Sequence, residues 1–313
     1  MLYSFRSRPT FRPMMPETTR RRRPSPLRLL VLAAGAIALA GCNALLNGTV
    51  PGDGYAVSRD LAYGDGPRRT LDLYVPDGAP ADAPLLVFIY GGSWDSGSKG
   101  IYPFVGQAFA SRGYVTAIPD YRVYPEVRFP GFIEDAAAAT VWVEREVAKR
   151  RGARPRAVFL AGHSAGAHIA LMLALDPTWI IRAGGDACVQ PAAAVGLAGP
   201  YDFLPLTSER LKQVFGPGPA GPETQPISFA GGGDPPLLLL HGTDDDTVLP
   251  RNAERLAAAV NAAGGQATVK LYDGVGHIRI VGALQYRLRF LAPVLDDADG
   301  FLKSVPACHR RSD

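Results

Sequence analysis

The chain has 313 residues, with 33 Lys and Arg against 29 Asp and Glu, a formal net charge of +4. Residues 1–41 hold eight of the arginines and one acid, which leaves 25 bases and 28 acids in the 272 residues that follow. A net-acidic body argues against nucleic-acid binding, which needs clustered positive charge to displace counterions. A content of 47% hydrophobic and 20% charged residues excludes a disordered, collagenous or multi-span membrane chain. The body is long enough for one large core, and three cysteines are too few for a disulfide scaffold.

Arg20 to Arg23 precede twelve uncharged residues, Leu29 to Ala40. A helix of that length rises about 18 Å, short of a bilayer core of about 30 Å, so it reads as a signal-peptide hydrophobic region and not a permanent span. It ends in Leu39-Ala40-Gly41-Cys42, which resembles the lipobox of bacterial lipoproteins. The resemblance implies a signal peptide over 1–41, acylation of Cys42 as the first mature residue, and a lipid-anchored protein on the periplasmic side of the cell envelope. Asn43, in place of Asp, further implies outer-membrane sorting if the source is Gram-negative. Met1, Met14 and Met15 all stay open as the start, and the twin-arginine export pattern is incomplete. Residues 42–54 read as a short tether. Cys188 and Cys308 would share an oxidising compartment where they could pair, though sequence does not fix their distance.

The catalytic body is expected over 55–303, with a tail over 304–313. Tyr55 to Asp60 and Thr70 to Val75 alternate apolar and polar residues around Gly64-Asp65-Gly66, which predicts an antiparallel edge hairpin. Six apolar runs without alternation follow, Leu85 to Tyr90, Tyr114 to Ile118, Ala157 to Ala161, Ala193 to Ala198, Leu237 to Leu240 and Thr268 to Tyr272, as expected of strands buried on both faces. Helical patterns occupy Phe104 to Ser111, Ile133 to Arg151, Ala165 to Leu175 and Asn252 to Ala263. Alternating strands and helices predict one α/β domain, a mostly parallel sheet with helices on both faces. Gly199 to Pro236 breaks the rhythm with prolines and glycines, only Ser208 to Phe215 looking helical. This predicts an irregular excursion, either a small cap over a site or a plain surface loop.

After the fifth expected strand comes Gly162-His163-Ser164-Ala165-Gly166 and then a helix. G-x-S-x-G between strand and helix is a nucleophile elbow, and the helix start offers a free N–H from Ala165. A serine hydroxyl needs a base within hydrogen-bond reach. His163 diverges from its neighbour, His168 lies a helical turn below, His241 ends a strand and His309 sits in the tail. His277, in the loop after the last strand, therefore reaches the same sheet edge. The base in turn needs a carboxylate, and the loop after Leu237 to Leu240 offers Asp244, Asp245 and Asp246, which the residues alone leave open. Tyr90-Gly91-Gly92-Ser93-Trp94 follows the strand Leu85 to Tyr90 as a glycine-rich turn.

Together these segments resemble bacterial α/β-hydrolases of the esterase and lipase superfamily, near the groups that include feruloyl and acetyl esterases, kynurenine formamidase and prenylcysteine methylesterase. The segment His241 to Val248 is similar to the H-G-x-x-D-x-x-V pattern of that fold, which implies that Asp245 is the acid, and the order Ser164, Asp245, His277 is that of the fold. Residues 90–94 resemble the His-Gly-Gly-x-Trp oxyanion loop of the branch related to hormone-sensitive lipase, with Tyr90 where histidine is usual. By that resemblance the N–H groups of Gly92, Ser93 and Ala165 form the oxyanion hole. Asp120-Tyr121-Arg122 and Tyr124-Pro125 also resemble the branch, while Asp120, Glu134 and Asp135 are expected to be structural.

The resemblance implies a serine carboxylesterase acting on a small-molecule ester. The alternatives are an amide or formamide hydrolase or a peptidase, because the same machinery serves those bonds, and a non-catalytic envelope binding protein. No cofactor or metal is implied, since no H-E-x-x-H, paired CxxC or lysine-bearing phosphate loop is found.

Overall fold

The computed structural model describes residues 47–306 apart from 217 and 219. The signal segment, Cys42 with Asn43, and Cys308 with His309 lie outside the described residues, whereas Cys188 is half-buried.

The hairpin is formed by β1 (Tyr55–Ala62) and β2 (Thr70–Pro76), antiparallel to each other. Five strands then follow with every residue buried: β3 (Leu85–Ile89), β4 (Val115–Pro119), β5 (Val158–His163), β6 (Ala193–Leu197) and β7 (Leu237–Gly242). Their apolar runs without alternation are what a strand covered on both faces requires. The last strand, β8 (Ala267–Tyr272), departs from the expectation of double burial. It forms the sheet's edge, and its polar Thr268 and Lys270 fall in a partly exposed, alternating pattern. The sheet order is β1-β2-β4-β3-β5-β6-β7-β8, with β2 antiparallel to β4 and all later pairs parallel.

Helices cover both faces: α1 (Pro103–Ala110), α2 (Gly131–Arg151), α3 (Ala165–Leu175), α4 (Thr178–Arg182), α5 (Glu209–Phe215), α6 (Arg251–Ala262), α7 (His277–Gly282) and α8 (Val294–Ser304). Every residue of α3 is buried, because the helix is wedged between the sheet and α2 and has no solvent face to carry polar groups. The longest of the described helices, α2, ends on Gly152 in the left-handed conformation, with Lys149, Arg150 and Arg151 in its last turn complementing the helix dipole. None of the described helices is long and apolar enough to cross a membrane. This is the α/β-hydrolase fold.

The chain leaves β3 toward β4 on one side and later returns to place β5 on the other. At such a reversal of strand order the loops at the carboxyl ends of the two strands diverge and open a crevice. Ile89 pairs with Gly162, so the turn after β3 and the turn after β5 face each other across it.

Candidate active site

Ser164 stands between β5 and α3 with φ 55° and ψ −123°, a conformation sparsely populated by residues other than glycine. Its N–H donates to Leu197 O (2.9 Å) and its carbonyl accepts from His168 N (3.1 Å), so β6 and α3 hold the turn from both sides. Close packing makes the turn possible: a Cβ on Gly166 would lie 2.0 Å from Ile89 O. The side chain is thereby lifted to the carboxyl edge of the sheet.

His277 and Asp245 arrive at the same edge from β8 and β7. His277 is the first residue of α7, reached through Asp273 to Gly276, whereas the sequence placed it in a loop. Asp245 lies in the turn that follows Gly242. His277 Nδ1 is 2.8 Å from Asp245 Oδ2, and His277 Nε2 is 2.9 Å from Ser164 Oγ. A carboxylate only accepts, so Nδ1 carries the proton and Nε2 is left to accept from the serine hydroxyl. Of the three neighbouring acids Asp245 alone is buried; Asp244 and Asp246 are exposed.

The Asp245 carboxylate is held in place from several directions. Its Oδ1 accepts the N–H groups of Thr247 (3.0 Å) and Val248 (2.9 Å), and His241 Nε2 lies 3.2 Å from Oδ2. Burial acts to raise its pKa, but the hydrogen bonds from His241, His277 and Val248 outweigh burial and hold it well below the usual carboxylate range. It therefore stays ionised and fixes the His277 tautomer.

Two further histidines support the site from beneath. His163 Nε2 donates to the backbone carbonyl of His277 (2.9 Å), and burial pushes its pKa down to about 3. His168 Nε2 donates to Thr224 O (2.8 Å), and its Nδ1 accepts from Trp94 Nε1 (3.3 Å). Burial likewise lowers its pKa, to about 4. Both rings are neutral near neutral pH. Sequence reasoning assigned no partners to His163, His168 or His241. Adjacency to Ser164 and the four-residue step from His241 to Asp245 were the only signals available.

The turn after β3 approaches Ser164 closely, since a Cβ on Gly91 would lie 2.9 Å from Ser164 Cβ. Three successive residues take positive φ, Gly92 (135°), Ser93 (51°) and Trp94 (58°). The Gly92 carbonyl is turned inward, accepting Asp95 N and Ser96 N at 3.0 Å each and Ser96 Oγ at 2.9 Å. No described backbone carbonyl accepts the N–H of Gly92, Ser93 or Ala165. Tyr90 points away from this turn: its hydroxyl donates to Asp120 Oδ1 (2.7 Å) and accepts from Arg68 Nη2 (3.1 Å), and its ring stacks on Tyr102 and Tyr121. The Tyr121 hydroxyl donates to the Tyr90 carbonyl (2.7 Å), fixing the strand end. Asp135 is buried and bound bidentately by Arg122, whereas Glu134 is exposed on α2.

A cluster of rings packs on Trp94, in the turn after β3. Trp94 packs on His168, Phe203 and Phe215, and Phe215 packs in turn on Phe129 and Phe132. Phe203 and Phe215 come from the excursion 199–236, which is stapled to the body by Phe129 N to Val214 O (3.0 Å) and by the Arg210–Asp95 ion pair (2.8 Å). Among the described residues no group of three His, Cys, Asp or Glu side chains is arranged to hold a metal.

A BD-FAE family model matches residues 71–260. A probable isoprenylcysteine alpha-carbonyl methylesterase of Oryza sativa subsp. japonica is 31% identical over 248 residues, which cover 71% of this chain and 57% of that enzyme. Esterase LipC of Mycobacterium tuberculosis is 30% identical over 253 residues, covering 71% and 60%. The chain thus spans between half and two thirds of the length of these two relatives. The propionate-bound structure of esterase 2 from Thermogutta terrifontis superposes with a TM-score of 0.64 at 27% identity, covering 81% of this chain and 96% of that one.

Proposed function

The chain belongs to the BD-FAE family, and from that membership and the site geometry we propose that it is a serine carboxylesterase working through a covalent acyl-enzyme. The observation that carries the reading is the run of hydrogen bonds from Asp245 through His277 to Ser164 at one sheet edge. Ser164 Oγ attacks the ester carbonyl while His277 Nε2 takes its proton. The N–H groups of Gly92, Ser93 and Ala165 receive the oxyanion, each such donor being worth about 3 kcal/mol of barrier. Asp245 holds the imidazolium, which passes its proton to the leaving alcohol, and water then releases the acid by the same steps. The rings of His168, Phe203 and Phe215 pack on Trp94, next to the Gly92–Ser93 turn, and bulk at that position favours short acyl chains.

Hydrolysis of p-nitrophenyl esters from acetate to palmitate, with Ser164→Ala alongside, tests this. The expected result is a short-chain optimum and a loss of about 10³-fold or more in the variant. Full activity in Ser164→Ala, or no alcohol released from any ester, rejects it. A formamide substrate in parallel separates ester from amide hydrolysis, and a fluorophosphonate that leaves Ser164 unlabelled would favour a binding protein.

The same reading places the protein at the cell envelope, anchored by lipid on Cys42. The support is the order of arginine block, apolar run and Leu-Ala-Gly-Cys in the sequence. Metabolic incorporation of labelled palmitate, lost in Cys42→Ser, is the expected result.

A further inference from the structure

Seven large apolar side chains stand exposed among the described residues, and three of them fall within 13 residues: Ile278 (69% exposed), Tyr286 (54%) and Phe290 (79%). They belong to one compact stretch, in which α7 packs against the short turn Arg289–Leu291. The bases here are Arg279, Arg287 and Arg289, and residues 277–291 contain no acid. The Arg289 guanidinium lies over the Tyr286 ring, 5.7 Å from its centroid. Exposed aromatic rings interleaved with arginines suit a membrane interface, where apolar faces enter the acyl boundary and guanidinium groups meet phosphate.

The amino-terminal segment docks beside this stretch. Gln285 Nε2 donates to Thr49 Oγ1 (2.8 Å), and Asn47 Nδ2 donates to Ile101 O (3.1 Å), just before α1. Helix α1 follows the turn at the carboxyl end of β3, so Asn47 is fixed on the side of the sheet that carries Ser164. Asn47 lies five positions after Cys42, a reach of at most about 18 Å. A lipid on Cys42 would therefore bring a bilayer to this face and to no distant one.

We propose that Tyr286 and Phe290, with the exposed Arg287, form a surface that seats the body on a phospholipid bilayer and turns the Ser164 edge toward it, Arg289 bracing the patch from within through Gln107 Oε1 (3.3 Å). The inference rests on acylation of Cys42 as proposed above. In consequence Ile278, next to His277, lies at the membrane side of the site, and the enzyme draws ester substrates from that side.

The test uses the full acylated chain in vesicles of phosphatidylcholine and phosphatidylglycerol with brominated acyl chains. Phe290→Trp adds a fluorophore at the surface. Ile181→Trp adds one on α4, beyond the far end of α3, which carries the chain about 16 Å from the Ser164 edge. The added emission at position 290 should be quenched and that at position 181 should not. Both positions are exposed, so neither change disturbs the fold. Equal emission at both positions, in protein whose Cys42 carries lipid by mass, overturns the surface and leaves the anchor standing. Absence of lipid by mass overturns both. Unquenched emission at position 290 in a chain that sediments as a dimer overturns the bilayer in favour of a second copy.

Discussion

His163 Nε2 donates to the backbone carbonyl of His277 across 2.9 Å, so the residue before Ser164 fixes the main chain of His277. The two rings stand 4.9 Å apart, tilted by 43°. Because burial keeps His163 neutral, it can brace His277 without opposing the positive charge that His277 would acquire. Replacing it by Phe should lower kcat about 10- to 100-fold with KM little changed, since a misplacement on the order of 1 Å is costly in a preorganised site. Gln can donate from a similar position and should recover part of the loss. Equal rates in both variants would deny His163 this role.

Two histidines buried as neutral rings make the fold acid-sensitive. His163 and His168 fall from an ordinary value of 6.5 to about 3 and about 4. Above pH 6.5 both states are neutral and the full stability is present. As pH falls from 6.5 toward 4 the unfolded chain binds protons that the native state refuses, so stability drops, by at most about 2.7 kcal/mol per pH unit for two sites. Urea midpoints at pH 7 and pH 5 should differ in that direction, and a flat profile would contradict it.

The acids of the turn after β7 should separate cleanly. Asp245→Asn would let the wrong His277 tautomer form and should cost about 10⁴-fold in kcat. Asp246→Asn removes an exposed carboxylate whose nearest partner is Thr247 Oγ1 at 3.4 Å, and should change kcat less than twofold, about the scatter of a surface substitution.

Gly92 tests the proposed oxyanion turn. Its φ is 135°, and a Cβ would meet Ser96 O at 2.3 Å, so Gly92→Ala must move the turn. Loss of one donor there predicts about 10²- to 10³-fold in kcat. Fluorophosphonate labelling of Ser164 should persist more slowly, which separates a displaced donor from a collapsed site.

Phe215 sits at the centre of the ring cluster on Trp94. Phe215→Ala should shift the p-nitrophenyl ester optimum to longer chains and cost about 3–5 kcal/mol in stability through the cavity it leaves. An unchanged chain-length profile would mean that these rings do not bound the acyl group.

The strands were legible because β3 to β7 are buried on both faces, and such strands announce themselves as unbroken apolar runs. The edge position of β8 was not, since Ala267 to Tyr272 looks similar until its neighbours are known. At the site, that Ser164 and His277 would meet was legible from local pattern and elimination. That Asp245 would be the aspartate to meet His277 needed the resemblance, because three consecutive aspartates differ only in burial, which is a tertiary property. The bracing by His163 and the contact between Trp94 and His168 join residues 114 and 74 positions apart, beyond any local period. The short helices α4, α7 and α8 carry Thr, Trp, Gly or paired Asp, and their helicity depends on packing more than on propensity.

Ser164 and His277 lie 113 residues apart, and His277 hangs from β8, which among the described residues has β7 as its sole strand neighbour. Closing so long a loop precedes any reward from the pairing it permits. A partly assembled sheet can present the serine at its elbow while the imidazole is still absent. Under the proposed chemistry and the proposed export, a chain crossing a membrane unfolded would be chemically inert, and the first turnover would date the moment at which β8 pairs with β7.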